Sequence, residues 1–70
     1  MDRQSVVSRA LRSVGYDERL LTLEIEFQNG SIYHYFRVPP SVHVALLSAQ
    51  SKGHYFDTRI KDEYRWEKVL

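Results

Sequence analysis

The sequence predicts a small α+β domain, a three-stranded antiparallel β-meander followed by one or two helices packed on one face of the sheet. Three observations carry this. In LLTLEIEFQNG (residues 20–30), Leu21, Leu23, Ile25 and Phe27 alternate with Thr22, Glu24, Glu26 and Gln28, the period of two of a half-buried strand. Asn29-Gly30 follows directly, and Asn-Gly between alternating runs is the strongest short hairpin signal. Pro39-Pro40 then ends the extended run and opens PSVHVALLSAQSKG, where Val42, Ala45, Leu46 and Ala49 recur at helical spacing.

The first strand runs through RALRSVGYD into a turn at Asp17-Glu18-Arg19, and its register is open. If Tyr16 pairs with Leu20, Leu11 points to the core, Arg12 lies opposite Glu24, and Tyr16 joins the outer face. If Tyr16 pairs with Leu21, Val14 and Tyr16 point inward. The first arrangement keeps the Arg12 charge out of the core. For the hairpin, a type I′ turn at Asn29-Gly30 pairs Gln28 with Ser31. Phe27, Ile25, Leu23 and Leu21 then face Ile32, His34, Phe36 and Val38 on the core side, while Tyr33 and Tyr35 lie outside beside Glu26 and Glu24. Pro40 suits a first helical turn and Gly53 a left-handed C-cap. Beyond Gly53, HYFDTRIKDEYRWEKVL fits a short helix with Tyr55 or Phe56, Ile60 and Tyr64 on one side, then an extended tail.

Seventy residues make one domain, 1–70, and a chain this short buries only about 60% of the surface its unfolded form exposes. Without cysteine it has neither disulfides nor thiolate metal ligands, so packing must hold it. The N-terminus MDRQSVVSRALRSVG lacks the apolar segment of a secretory signal, and no apolar run approaches a membrane span, so the expected setting is cytoplasmic with no membrane partner. Ten Lys and Arg against nine Asp and Glu give a net charge of +1, so any basic patch must be assembled by folding.

Tyr33 and Tyr35, one pleat apart on an exposed face, are candidate stacking groups for nucleic-acid bases, with Arg12, Arg37, Lys52, Arg59 and Lys61 as candidate phosphate contacts. Against this stand Glu24 and Glu26, whose carboxylates repel phosphate. Ser51, Lys52, Gly53 and His54 form a second candidate, an anion site of backbone amides flanked by cations. Tyr55 and Phe56 belong to the core, since a chain this short cannot spare them. His34, His43 and His54 are too widely spaced for a helical metal site, and neither a nucleophile elbow nor a Gly-rich phosphate loop occurs. With His34 expected as a core histidine, the sequence reads as non-enzymatic, with no catalytic residue, metal, cofactor or small-molecule substrate.

VGYDERLLTLEIEFQNGSIYHYFRVPPSV and LLSAQSKGHYFDTRIKDEY together resemble the KTSC domain, a short module at the C-terminus of some lysyl-tRNA synthetases that also occurs as a stand-alone bacterial protein. The resemblance covers about Val7 to Tyr64. It rests on Ser8, Gly15-Tyr16-Asp17, Phe27, Gly30, Tyr33-x-Tyr35, Val38-Pro39, Ala49-x-Ser51-x-Gly53, Tyr55-Phe56 and Ile60-Lys61. Arg9, where the family often has serine, and His43, where an aromatic is common, depart from the pattern. The resemblance implies a small non-catalytic binding module and, through its occurrence beside a tRNA-handling enzyme, RNA or single-stranded nucleic acid as ligand. The alternative is a partner protein, or a second copy of the chain, on the tyrosine face or an open edge strand.

Overall fold

The chain begins and ends in short strands that no hydrophobic alternation marks. The computed structural model, which describes residues 1–70, runs β1 (Arg3–Ser5), β2 (Leu11–Asp17), β3 (Thr22–Phe27), β4 (Ile32–Tyr35), α1 (Pro40–Ser48), α2 (Lys52–Arg59) and β5 (Trp66–Lys68). The fold is α+β as expected, but the sheet has five antiparallel strands in the order β1-β2-β3-β4-β5, the expected meander with one strand added at each edge. Both added strands are three residues long and have no buried residue, so burial leaves no pattern on them. No helix is long and apolar enough to cross a membrane.

The β3–β4 hairpin turns one residue differently from a type I′ turn. Only Gly30 has positive φ (+88°), whereas type I′ needs it at both central residues. Gly30 N–H donates to the Phe27 carbonyl and Phe27 N–H to the Ser31 carbonyl, both at 2.9 Å, which closes a three-residue loop over Gln28-Asn29-Gly30. Asn29 Oδ1 braces it, accepting from Ser31 N–H at 3.0 Å and Ser31 Oγ at 2.7 Å. The register becomes Leu23↔Tyr35, Glu24↔His34, Ile25↔Tyr33 and Glu26↔Ile32. This one-residue slip inverts β4: Tyr33 and Tyr35 point to the helix side, while Ile32 and His34 occupy the uncovered face. His34 is thus no core residue. Its Nε2 meets Glu24 Oε2 at 2.8 Å.

In β2 neither expected register holds. Tyr16 pairs with Leu23 and Asp17 with Thr22, and a bulge between Leu11 and Ser13 shifts the ladder. The bulge inserts Arg12 as the extra residue, so Leu11 and Val14 both reach the core although their spacing is odd. Arg12 swings outward, 3.6 Å from Glu26 rather than paired with Glu24, and donates to the Gln28 carbonyl at 2.9 Å. Tyr16 does not extend an outer tyrosine face. Its ring stacks on His43 at 4.7 Å and its hydroxyl donates to the Val38 carbonyl on the core side.

Gly53 does not cap a long helix. The chain turns extended at Ala49, Ser51 caps a second helix by accepting from His54 N–H at 3.2 Å, and Gly53 sits in the first turn of α2. Lys52 Nζ donates to the Ala49 carbonyl at 3.0 Å and ties the two helices at their junction. Leu46 of α1, Phe56 of α2 and Ile60 just beyond it seal Leu11, Val14, Leu23, Ile25, Tyr35 and Val38 into one core.

Candidate functional site

Because side chains alternate along each strand, two rows of residues cross the helix side of the sheet. One runs Tyr16, Leu23, Tyr35, Trp66 and the other Val14, Ile25, Tyr33, Lys68. The helices bury these rows over β2 and β3, and the cover thins toward β5: Tyr35 is 4% exposed and Trp66 57%. Where it thins, rings accumulate. Tyr33 lies 5.5 Å from Phe27 edge-on, 6.3 Å from Tyr35 nearly parallel and 5.5 Å from Trp66, and Phe56 braces both Phe27 (5.3 Å) and Tyr35 (5.4 Å). Tyr35 has its phenol pushed up to about 12 by burial and, secondarily, by Tyr33.

Between these rings, the β3–β4 loop and the end of α2 lies an open cleft of about 600 Å³ whose charged lining is Asp57, Lys61 and Asp62. Trp66 forms one wall. A second cleft of about 490 Å³ also includes Trp66, together with Phe36, Arg37, Tyr64 and Arg65. Arg37 has a left-handed backbone, φ +57°, uncommon for a residue with a side chain. The exposed indole is therefore a ridge between two clefts of mixed charge, the first holding Lys61 with Asp57 and Asp62, the second Arg37 and Arg65 with Glu63 and Glu67.

Of the candidate residues, Tyr33, Tyr35 and Lys61 come together in the first cleft and Arg37 lines the second. Tyr35 is itself buried behind that cleft, 4% exposed. Arg12 is engaged at the β2 bulge, Lys52 is tied to Ala49, and Arg59 lies in a separate depression with Ser51 and His54. Ser51, Lys52 and Gly53 do line one cleft, of about 480 Å³, with Ser8 and Arg9 opposite. Both hydroxyls there are already acceptors, Ser51 as helix cap and Ser8 from Ala10 and Leu11 N–H at 3.2 Å. His54 is exposed outside that cleft. Sequence reasoning missed Trp66, whose alternation with Lys68 across Glu67 is the one signal that would have placed it on the tyrosine side.

The uncovered sheet face is a charge network. Arg3 donates to Glu24 Oε1 at 2.8 Å and Ser13 Oγ at 2.9 Å, and Ser13 donates to Glu26 Oε1 at 2.8 Å. Burial would raise the Glu24 carboxyl, but hydrogen bonds from His34 and Arg3 outweigh it and hold the group below its ordinary range. This network fastens β1 to the sheet. None of the clefts reaches Glu24 or His34.

Comparison with known proteins gives a consistent answer. The family model described as the KTSC domain matches residues 7–64. An uncharacterized protein of Stutzerimonas stutzeri is 43% identical over 70 residues, covering 99% of both chains. A lysine–tRNA ligase of Nostoc punctiforme is 42% identical over 59 residues, 84% of this chain but 10% of that protein. The chain thus spans about a tenth of the ligases it matches. A crystal structure of a KTSC domain protein from Yersinia pestis superposes with a TM-score of 0.93 at 40% identity, covering 99% of this chain and 97% of that one. On sequence and fold alike, this chain belongs to the KTSC domain family.

Proposed function

We propose that the protein is a non-catalytic module that binds single-stranded nucleic acid, RNA foremost, along the groove crossing Trp66. One or two bases stack on Trp66 and Tyr33, while Lys61 on one side and Arg37 and Arg65 on the other take the phosphates. The observation that carries this is the 57% exposure of a tryptophan standing between two clefts of mixed charge, with Lys61 in the wall of one and Arg37 and Arg65 in the wall of the other. A soluble domain gains nothing from leaving an indole in water, whereas a sequence-tolerant nucleic-acid site needs an exposed ring flanked by cations. The tyrosine pair keeps its role in altered form, Tyr33 as a stacking partner and Tyr35 as the buried brace behind it. The lysine–tRNA ligases among the relatives support RNA as the ligand, since their name places tRNA beside a matching segment, and a cytoplasmic setting belongs to the same reading.

Trp66 is the chain's only tryptophan, so its fluorescence reports on this site alone. Titration with short single-stranded RNA should quench it at low salt. With three phosphates neutralised the logarithmic salt slope should be about −2, a roughly 20-fold loss of affinity between about 50 and 200 mM salt. Absence of quenching at low salt would refute the proposal.

A further inference from the structure

The sheet ends at β5 in an edge that no other strand pairs. Phe36 N–H donates to the Arg65 carbonyl at 2.9 Å and Val69 N–H to the Ile32 carbonyl at 2.7 Å, with Glu67 opposite His34 between them. Residues that bond a given neighbour alternate along an antiparallel strand, so Arg65, Glu67 and Val69 commit their backbone groups to β4. The N–H and C=O groups of Trp66 and Lys68 therefore point away from the sheet, a template for one more strand. The side chains of this edge are uncommitted too. Arg65 and Glu67 are exposed and neither makes an ion pair within 4.0 Å. Both project from the face without helices, while Trp66 projects from the helix side.

We infer that β5 is a dimerisation strand whose partner is β5 of a second copy of this chain, antiparallel to it about a two-fold axis at Trp66. Directly opposite residues of an antiparallel pair share a face, so a two-fold pairing must set one residue against its own copy. Centred on Arg65, Glu67 or Lys68, the pairing opposes like charges. Centred on Trp66, it sets Arg65 of each copy opposite Glu67 of the other and brings the two indoles side by side. The backbone agrees with that centre. The outward N–H and C=O of Trp66 exchange two hydrogen bonds with those of its copy. Arg65 and Glu67 then fall in the pairs without hydrogen bonds, whose Cα atoms are about 4.5 Å apart and whose side chains lie closest. β1, at the other edge, has no such match, since a centre on Gln4 opposes Arg3 with Ser5 and Asp2 with Val6. A contact of so few residues is weak and reversible, and the two-fold occupies both β5 edges, so assembly closes at two copies. The pairing needs no nucleic acid and stands apart from the reading above.

The test is sedimentation equilibrium of the intact protein without RNA, from about 10 µM to about 1 mM, where a weak contact of this size associates. A reversible monomer–dimer equilibrium with no larger species is expected. Arg65→Glu and Glu67→Arg should each raise the dissociation constant about 10-fold or more, because each turns both attractive pairs into repulsive ones. Mixing the two variants in equal amounts should restore the dimer, since the mixed pair sets glutamates opposite arginines. A parent protein that stays monomeric at the top of the range overturns the inference and leaves the edge to a strand of another protein. A dimer that survives either variant overturns it as well, because the contact then lies elsewhere. Failure of the mixture to recover excludes the Trp66-centred register, and species larger than a dimer exclude a closed two-fold pairing.

Discussion

At the scale of single residues, exposure and partnership separate the groups of the proposed site from those that build the fold. Trp66 is more than half exposed, its one aromatic ring contact is with Tyr33 and it is not among the buried core residues, so truncating it removes a stacking surface and little of the core. Trp66→Ala should weaken RNA binding by about 1–3 kcal/mol, measured with dye-labelled RNA, and leave the midpoint of urea unfolding nearly unchanged. A fall in the midpoint with no change in binding would make the indole structural. Glu24 is the opposite case, a carboxylate largely covered by Arg3 and His34 on the uncovered sheet face. Its folded-state pKa lies below the unfolded one, so its contribution to stability is complete above about pH 4.5 and is lost as the pH falls through the lowered value. Glu24→Gln should cost about 1–2 kcal/mol at neutral pH and flatten the acid limb of the stability–pH curve. A variant whose acid limb matched the parent's would show that other carboxylates set it.

At the scale of elements, the two edge strands depend on contacts that each makes with one neighbour. β1 lies across Gly15, where a Cβ would stand 2.8 Å from the Asp2 carbonyl oxygen and 3.1 Å from Arg3 Cγ. Gly15→Ala must therefore lift β1 away from β2, at a cost of about 1–3 kcal/mol. Amide hydrogen exchange should show protection lost first in residues 3–5 and at their partners Ser13 and Gly15. Retained protection there would mean that the backbone accommodates the methyl group by shifting elsewhere. β5 is held to β4 by the pairing of Tyr33 with Lys68 and Tyr35 with Trp66, extended by Ile32 N–H donating to the Leu70 carbonyl at 2.9 Å. The strand that carries the exposed indole is thus also a sheet edge, anchored on one side only.

At the scale of the whole molecule, nine buried apolar residues support a 70-residue chain without disulfides, and such a small core leaves a modest margin. A ligand that binds only the folded state therefore has a large effect on the unfolding temperature. RNA at about 100 times its dissociation constant should add about 2.7 kcal/mol, raising the midpoint by about 10–20 °C for a domain this size. Scanning calorimetry with and without a short single-stranded RNA tests this, and an unshifted midpoint at saturating RNA would contradict binding to the native state.

The sequence by itself determined the class of the fold, the β3 strand, the hairpin position and the core roles of Leu23, Ile25, Leu46, Phe56 and Ile60, because each depends on a pattern within a few turns or pleats of chain. The family resemblance was legible for the same reason: Ser8, Gly30 and Ser51 mark local turns and caps. Three matters were decided only by tertiary structure. The face taken by Tyr33 and Tyr35 hung on one residue of the loop, and the inward face puts Tyr35 against Phe56, a partner 21 positions away that no local alternation reveals. Burial of Leu11 together with Val14 required the bulge at Arg12, which a strict period of two cannot express. The candidate site formed only when β5 brought Trp66 to the edge of β4. A three-residue exposed strand buries nothing to record its place in the sequence, and its position is set by the hydrogen bonds that the open edge of the sheet offered.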